Sequence, residues 1–249
     1  MMNMTQTVKQ LLIINILFFI GSLFVPAAND FLALHYIDND VFGVWQFLTY
    51  MFMHGNVLHI FFNMFALISF GSTLEQFWGG KKFLFFYISC GLGAAALHML
   101  INYFQVQEGY QLMAASGFSP AEINTYFEGG SIYSNGREIL DQAAVEEGVR
   151  AYRVEMLGAS GAVYGLLVAF AFMFPNVGLM LLFIPVPIKA KYFVPGILCL
   201  DLFLGLKGGS IFGSGGTGIA HFAHIGGALI GFIMMWFWKK NQFNQNRWN

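Results

Sequence analysis

The run Gly158-Ala159-Ser160-Gly161-Ala162-Val163-Tyr164-Gly165 sets a serine hydroxyl among small residues, at the mouth of an apolar stretch that continues to Pro175. Such a hydroxyl attacks a carbonyl only when a neighbouring base takes its proton. His224 is the candidate base, because imidazole titrates near neutrality and Gly227 and Gly231 follow it at i+3 and i+7 on the same helical stripe. Gly161 and Gly165 lie four apart on their own helix, the spacing that lets two membrane helices approach backbone to backbone. One stripe laid on the other brings the two residues within a hydrogen bond of about 2.6–3.2 Å. Tyr164 falls one turn from Ser160 on the same face, where its ring can hold the imidazole by stacking.

His59 and Asn63 stand at i and i+4, so an imidazole N–H and an amide N–H address one cavity. Acyl transfer needs donors where the tetrahedral oxyanion develops, each worth roughly 10²- to 10³-fold in rate. Those two side chains with the Ser160 backbone N–H would form such a hole. Each group also has a plain packing reading: small residues and back-bonded serines pack apolar helices, and His59 with Asn63 can glue helices by hydrogen bonds. Depth in the membrane is what separates the readings, so the elements matter.

The 249 residues are 57% hydrophobic and 10% charged, with 29 Phe and a mean hydropathy of +0.62, against about 25% charged in soluble domains. A span needs roughly 20 apolar residues, and six stretches offer one, at about 9–25, 57–77, 83–103, 159–183, 192–206 and 219–238. Lys9, Lys81, Lys82, Lys189, Lys191, Lys239, Lys240 and Arg247 fall at one side's ends, and only Arg137, Arg150, Arg153 and Lys207 at the other. Positive charge marks the cytoplasmic side, so both termini are expected there. The second, fourth and sixth helices then all run inward, and His59, Asn63, Ser160 and His224 share one outer depth. Asp201, on an oppositely directed helix, is expected nearer mid-membrane, so a Ser–His dyad is favoured over a triad.

His221 rivals His224 as base, since Ala220-His221 repeats Ala223-His224, but no small-residue stripe follows it. His54 and His98 are read as surface or packing residues. No His-Glu-x-x-His pattern exists, so no metal is expected. Cys90 and Cys199 lie within spans and are read as packing residues.

Residues 26–56 mix Asp30, Asp38 and Asp40 with Phe31, Phe42, Trp45 and Phe47, suited to a loop half-immersed at the membrane surface. Val25-Pro26-Ala27-Ala28 resembles a signal-peptide site, but an even helix count fits the charge pattern better with the first helix retained. Residues 104–157 hold eight of the thirteen acidic residues and are read as an extracytoplasmic insertion. Within it Ser119-Pro120-Ala121-Glu122 is a capping box and Gly129-Gly130 a stop, and a second helix is expected over about 137–156 with Ile139, Leu140, Ala143, Val149, Tyr152 and Met156 on its buried face. The glycine-rich stretch 207–218 suits a lid or a linker.

Taken together, Gly158-Ala159-Ser160-Gly161 with Tyr164, His59 with Asn63 and the earlier His54, and Ala223-His224 with Gly227 and Gly231 resemble the signatures of rhomboid intramembrane serine proteases. The resemblance implies an all-α, six-transmembrane-helix rhomboid-like bundle forming one domain over 1–249, with the 104–157 insertion between helices 3 and 4. It implies a Ser160 nucleophile, a His224 base, an oxyanion site from His59, Asn63 and Ser160, and the stacking role for Tyr164. It also implies that the loop before the second helix is a membrane-embedded hairpin and that the segment after Lys207 caps the site. Many members carry Trp-Arg in that first loop, whereas this chain has Trp45-Gln46, which removes a cation.

The expected activity is cleavage of single-span membrane proteins in or near their transmembrane segment, in a bacterial cytoplasmic membrane with the site open to the extracytoplasmic side. The partners are then transmembrane substrates and the lipid bilayer, with no cofactor and no nucleic acid. The rival classes are a non-catalytic rhomboid-like protein that binds transmembrane segments, against which the presence of both Ser160 and His224 speaks, and a proton-coupled transporter, which no internal repeat supports.

Overall fold

The computed structural model describes residues 4–25, 27–181, 184–207 and 219–245. Eight helices and one hairpin carry the architecture among them: α1 Gln6–Phe24, α2 Val57–Trp78, α3 Gly80–Ala115, α4 Pro120–Glu128, α5 Gln142–Arg153, α6 Ser160–Met173, β1 Gly178–Leu181 with β2 Ile184–Lys189, α7 Ala190–Lys207 and α8 Ile219–Gln245. Short helical turns fill Ala28–Leu32 and Gln46–Thr49, and α2 contains a π-helical turn at Leu67–Gly71.

Among the described residues, four stretches are long and apolar enough to cross a bilayer: α1, α2, α3 and the His221–Lys239 part of α8. Their outward residues, among them Leu17, Phe61, Phe85 and Trp236, are exposed apolar side chains. Lipid, unlike water, imposes no cost on such a face. The fourth expected span, 159–183, is cut short. α6 stops at Met173 because Pro175 cannot continue a helix, and the following residues pair as an antiparallel β1–β2 hairpin. The fifth, α7, carries Pro195 inside it together with Lys191 and Asp201.

The centre of the molecule is a three-helix contact of α3, α6 and α8 made through small residues. A Cβ on Gly227 would overlap the Gly161 carbonyl, one on Gly231 would lie 2.9 Å from Gly165 Cα, and one on Gly226 would lie 2.7 Å from the Gly93 carbonyl oxygen. Cys90, Ala94, Ala162, Leu166 and Ala223 are buried around this contact. The packing reading of Cys90 agrees with its burial, whereas Cys199 is exposed on the wall of a cavity of ≈ 610 Å³ lined by α6, α7 and α8.

Two polar clasps hold the peripheral elements to one another. Glu75, near the end of α2, accepts hydrogen bonds from the backbone N–H groups of Thr7 and Val8 at 2.9 and 3.0 Å and from the Thr5 hydroxyl. A carboxylate there satisfies the unpaired first-turn donors of α1. Gln46 is fully buried, accepts from the His35 N–H at 3.2 Å and donates to the carbonyls of Asp30 and Val41 at 3.2 and 2.8 Å. A neutral amide thus cross-links the loop where an arginine is absent.

The polar segment differs from its expected bounds. α3 does not end at 103 but runs 36 residues to Ala115, ~54 Å at 1.5 Å per residue and longer than a hydrocarbon core of about 30 Å. Asn102, Val106, Gly109 and Met113 continue its buried face, and α5 lies against it where Gly148 faces Gly109 and the Gln105 carbonyl. α4 has the expected capping box, with Gly129 left-handed at its end. The second helix is shorter than 137–156 and buries Val145, Gly148 and Ala151, while Leu140 is 71% exposed. Residues 130–141 lack a helical pattern because Asn135-Gly136 turns the chain there. Apart from Lys207, the 207–218 stretch lies outside the described residues.

Candidate active site

Ser160 is the first residue of α6, and three contacts fix its approach. Leu34 and Met156 exchange backbone hydrogen bonds of 2.9 and 2.8 Å, Gly158 N–H donates to the Tyr50 carbonyl at 3.0 Å, and the Tyr50 hydroxyl donates to the Gly91 carbonyl at 2.7 Å. The first loop is therefore bound to both the serine turn and α3. Gly158 itself has φ +121, and a Cβ there would stand 2.7 Å from the His59 ring and 3.7 Å from Ser160 Oγ. Only glycine combines that backbone angle with that proximity.

The structure brings Ser160 and His224 together, with Oγ and Nε2 2.9 Å apart. Tyr164 lies under the imidazole as a parallel stack, centroids 4.2 Å apart and planes inclined by 9°. The glycine contact between α6 and α8 makes this possible, since any side chain at Gly227 would push the two helices apart. His59, on the first turns of α2, faces Gly158 as described, and its backbone N–H donates to the Asn56 side chain, the cap of that helix, at 2.9 Å. Asn63 is buried one turn further along, and its amide donates to the His59 carbonyl at 2.9 Å. One of its two N–H bonds remains for another acceptor.

Asp201 departs from its expected place. It comes to the histidines rather than lying apart from them: its Oδ1 is 2.5 Å from His221 Nδ1 and its Oδ2 3.4 Å from His224 Nδ1. Sequence patterning missed this because α7 is set by packing between α6 and α8, so the depth of Asp201 does not follow from residue counting. The repeat of Ala-His at 220–221 and 223–224, which sets two imidazoles at i and i+3 on one helix face, was the available signal. His54 packs edge-on to His59, centroids 5.0 Å apart, and His98 bonds Asn102 at 3.2 Å, both side chains being buried rather than at the surface.

Asp201, His221 and His224 are the described residues whose ligand atoms gather closely enough, within 4.8 Å of one another, to hold a metal. A tetrahedral zinc with bonds near 2.0–2.1 Å separates its donors by about 3.3 Å. The 2.5 Å Asp201–His221 contact is too close for that and fits a hydrogen bond instead.

A sequence model of the rhomboid domain matches residues 42–241. The chain is 29% identical over 161 residues to an uncharacterized mitochondrial rhomboid protein of Schizosaccharomyces pombe, covering 61% of this chain and 40% of that protein. It is 40% identical over 60 residues to rhomboid-like protein 15 of Arabidopsis thaliana, 24% of this chain and 15% of the relative, and 30% identical over 92 residues to rhomboid-like protein 1 of the same plant, 37% and 23%. The matches thus span well under half the length of these relatives. The sources are a plant and a yeast, and they lend no support to a bacterial membrane. With apolar helices and a rhomboid domain over four-fifths of its length, this integral membrane protein belongs to the rhomboid family.

Proposed function

We propose that the protein is an intramembrane serine endopeptidase that cleaves single-span membrane proteins in or beside their transmembrane segment. The observation that carries this is the 2.9 Å contact of Ser160 Oγ with His224 Nε2, backed by the Tyr164 stack. His224 takes the hydroxyl proton as Oγ attacks the scissile carbonyl, and later activates the water that releases the acyl group. The oxyanion forms at the N-terminus of α6, where unpaired backbone N–H groups and the helix dipole favour negative charge, with His59 and Asn63 as side-chain donors.

On this reading α6 and α7 complete a six-span bundle, both termini are cytoplasmic, and α4 and α5 form an extracytoplasmic insertion. A substrate helix must unwind locally to present its carbonyl, so helix-weakening residues near the cut are preferred. A fluorophosphonate probe tests the reading. Labelling of wild-type protein, lost in Ser160→Ala and in His224→Ala, together with a cut site mapped by mass spectrometry on a single-span substrate, supports it. Wild-type protein that neither labels nor cleaves overturns it, and labelling lost in His221→Ala but kept in His224→Ala reassigns the base.

A further inference from the structure

We infer that Asp201 is a positioning residue for the base, holding the His224 imidazole with its Nδ1–H toward the carboxylate and offsetting the charge that the ring acquires during acylation. The inference rests on the protease reading above. Asp201 is 5% exposed, and an ionisable group set among apolar helices is retained only where something pairs with it. Here two imidazoles do. Oδ1 is engaged by His221 at 2.5 Å, which leaves Oδ2 aimed at His224 Nδ1 3.4 Å away. Neither Oδ2 nor that Nδ1 has a hydrogen-bond partner among the described residues. The two facing atoms are thus a donor and an acceptor held just beyond bonding distance, and catalytic hydrogen bonds that are long at rest tighten as the reaction proceeds.

The tautomer follows from the same geometry. Nε2 must accept from Ser160, so the proton of the neutral ring sits on Nδ1. The Tyr164 stack fixes the plane of the ring, and the Nε2 contact with Ser160 fixes which edge faces Asp201. The titratable or polar groups around the imidazole are Ser160 and Tyr164 from α6, Asp201 from α7, His221 from α8 at a centroid distance of 6.2 Å, and His59 from α2. Asp201 alone among them supplies an anion. During acylation the Ser160 O–H bond breaks as Oγ–C forms, the proton goes to Nε2, Nδ1 keeps its own, and Asp201 stays a carboxylate. The doubled Ala-His also gains a purpose: His221 and His224, at i and i+3, straddle one carboxylate, and the first aims it for the second.

Asp201→Asn, nearly isosteric, is the test, with the melting temperature checking its fold. The fluorophosphonate labelling rate and kcat are expected to fall about 10- to 100-fold, with KM within about twofold and the acid limb of the pH–rate profile moved to lower pH. Nitrogen-15 NMR of the His224 ring reads the tautomer without catalysis: Nδ1-protonated with Asp201, mixed with Asn. If Asp201→Asn melts early, His221→Gln takes its place, with an expected several-fold fall in kcat at unchanged KM. Unchanged kcat and tautomer in the folded variant overturn the inference. Wild-type protein that never labels but holds the Asp201-dependent tautomer sinks the protease reading alone.

Discussion

Gly158 is the residue on which the geometry around Ser160 turns most sharply. Its φ of +121 costs any L side chain roughly 1–3 kcal/mol, and the added Cβ would press on the His59 ring 2.7 Å away. Gly158→Ala is therefore expected to lower stability by about that amount and to slow labelling of Ser160 by about tenfold or more, read by thermal melting and probe kinetics. The oxyanion donors separate from mere packing in steady-state kinetics. His59→Phe and Asn63→Ala are each expected to lower kcat by roughly 10²-fold with little change in KM. A raised KM at full kcat would instead mark them as helix or substrate contacts.

Among the elements, α6 and α8 are held at a separation that only glycine permits. Gly227→Ala places a methyl group into the Gly161 carbonyl, an overpacking expected to cost about 1–3 kcal/mol and to abolish the Ser160–His224 contact. Gly196 of α7 offers the control, since nothing lies within 4 Å of its missing Cβ. Gly196→Ala is expected to leave activity intact and to add about 0.5–1 kcal/mol through helix propensity alone. Chemical denaturation in detergent of the two variants checks both signs. Equal losses would show that the glycines serve some purpose other than close approach.

At the scale of the molecule, the acidic segment is a separately cored lobe, with Tyr36, Val106, Phe118, Ile123 and Phe127 buried together. Its clasp is Arg137, bonded to both oxygens of Glu122 at 2.6 and 3.1 Å and stacked over Phe118 at 4.0 Å. The Arg137 hydrogen bonds, followed by those from Ser119, depress the Glu122 carboxyl from an ordinary 4.5 to about 2. A depressed carboxyl stabilises the folded state in full above its unfolded value and loses that contribution as pH falls through the folded one. Amide protection factors over 116–141, taken against the intrinsic exchange rate at each pH, are thus expected to fall between about pH 4.5 and 2, and Glu122→Gln to remove that pH dependence. An unchanged acid profile in the variant would exclude the clasp as its source.

Short-range rules settled much of this in advance. The apolar runs set most of the membrane helices, Ser119-Pro120 and Gly129 bounded α4, and i, i+3, i+4 spacing grouped His224 with its glycines and His59 with Asn63, because helical periodicity is a local property of the chain. The glycine stripes even specified which helices meet, since backbone contact needs small residues on both partners. Tertiary structure alone decided the rest. The true ends of α3 and α5 depend on which faces find a surface to bury against. The seat of Gln46 depends on carbonyls that only the folded loop brings together. Asp201 reached the histidines because the packing of α7 against α6 and α8, not its place in a hydropathy profile, sets the depth of its carboxylate.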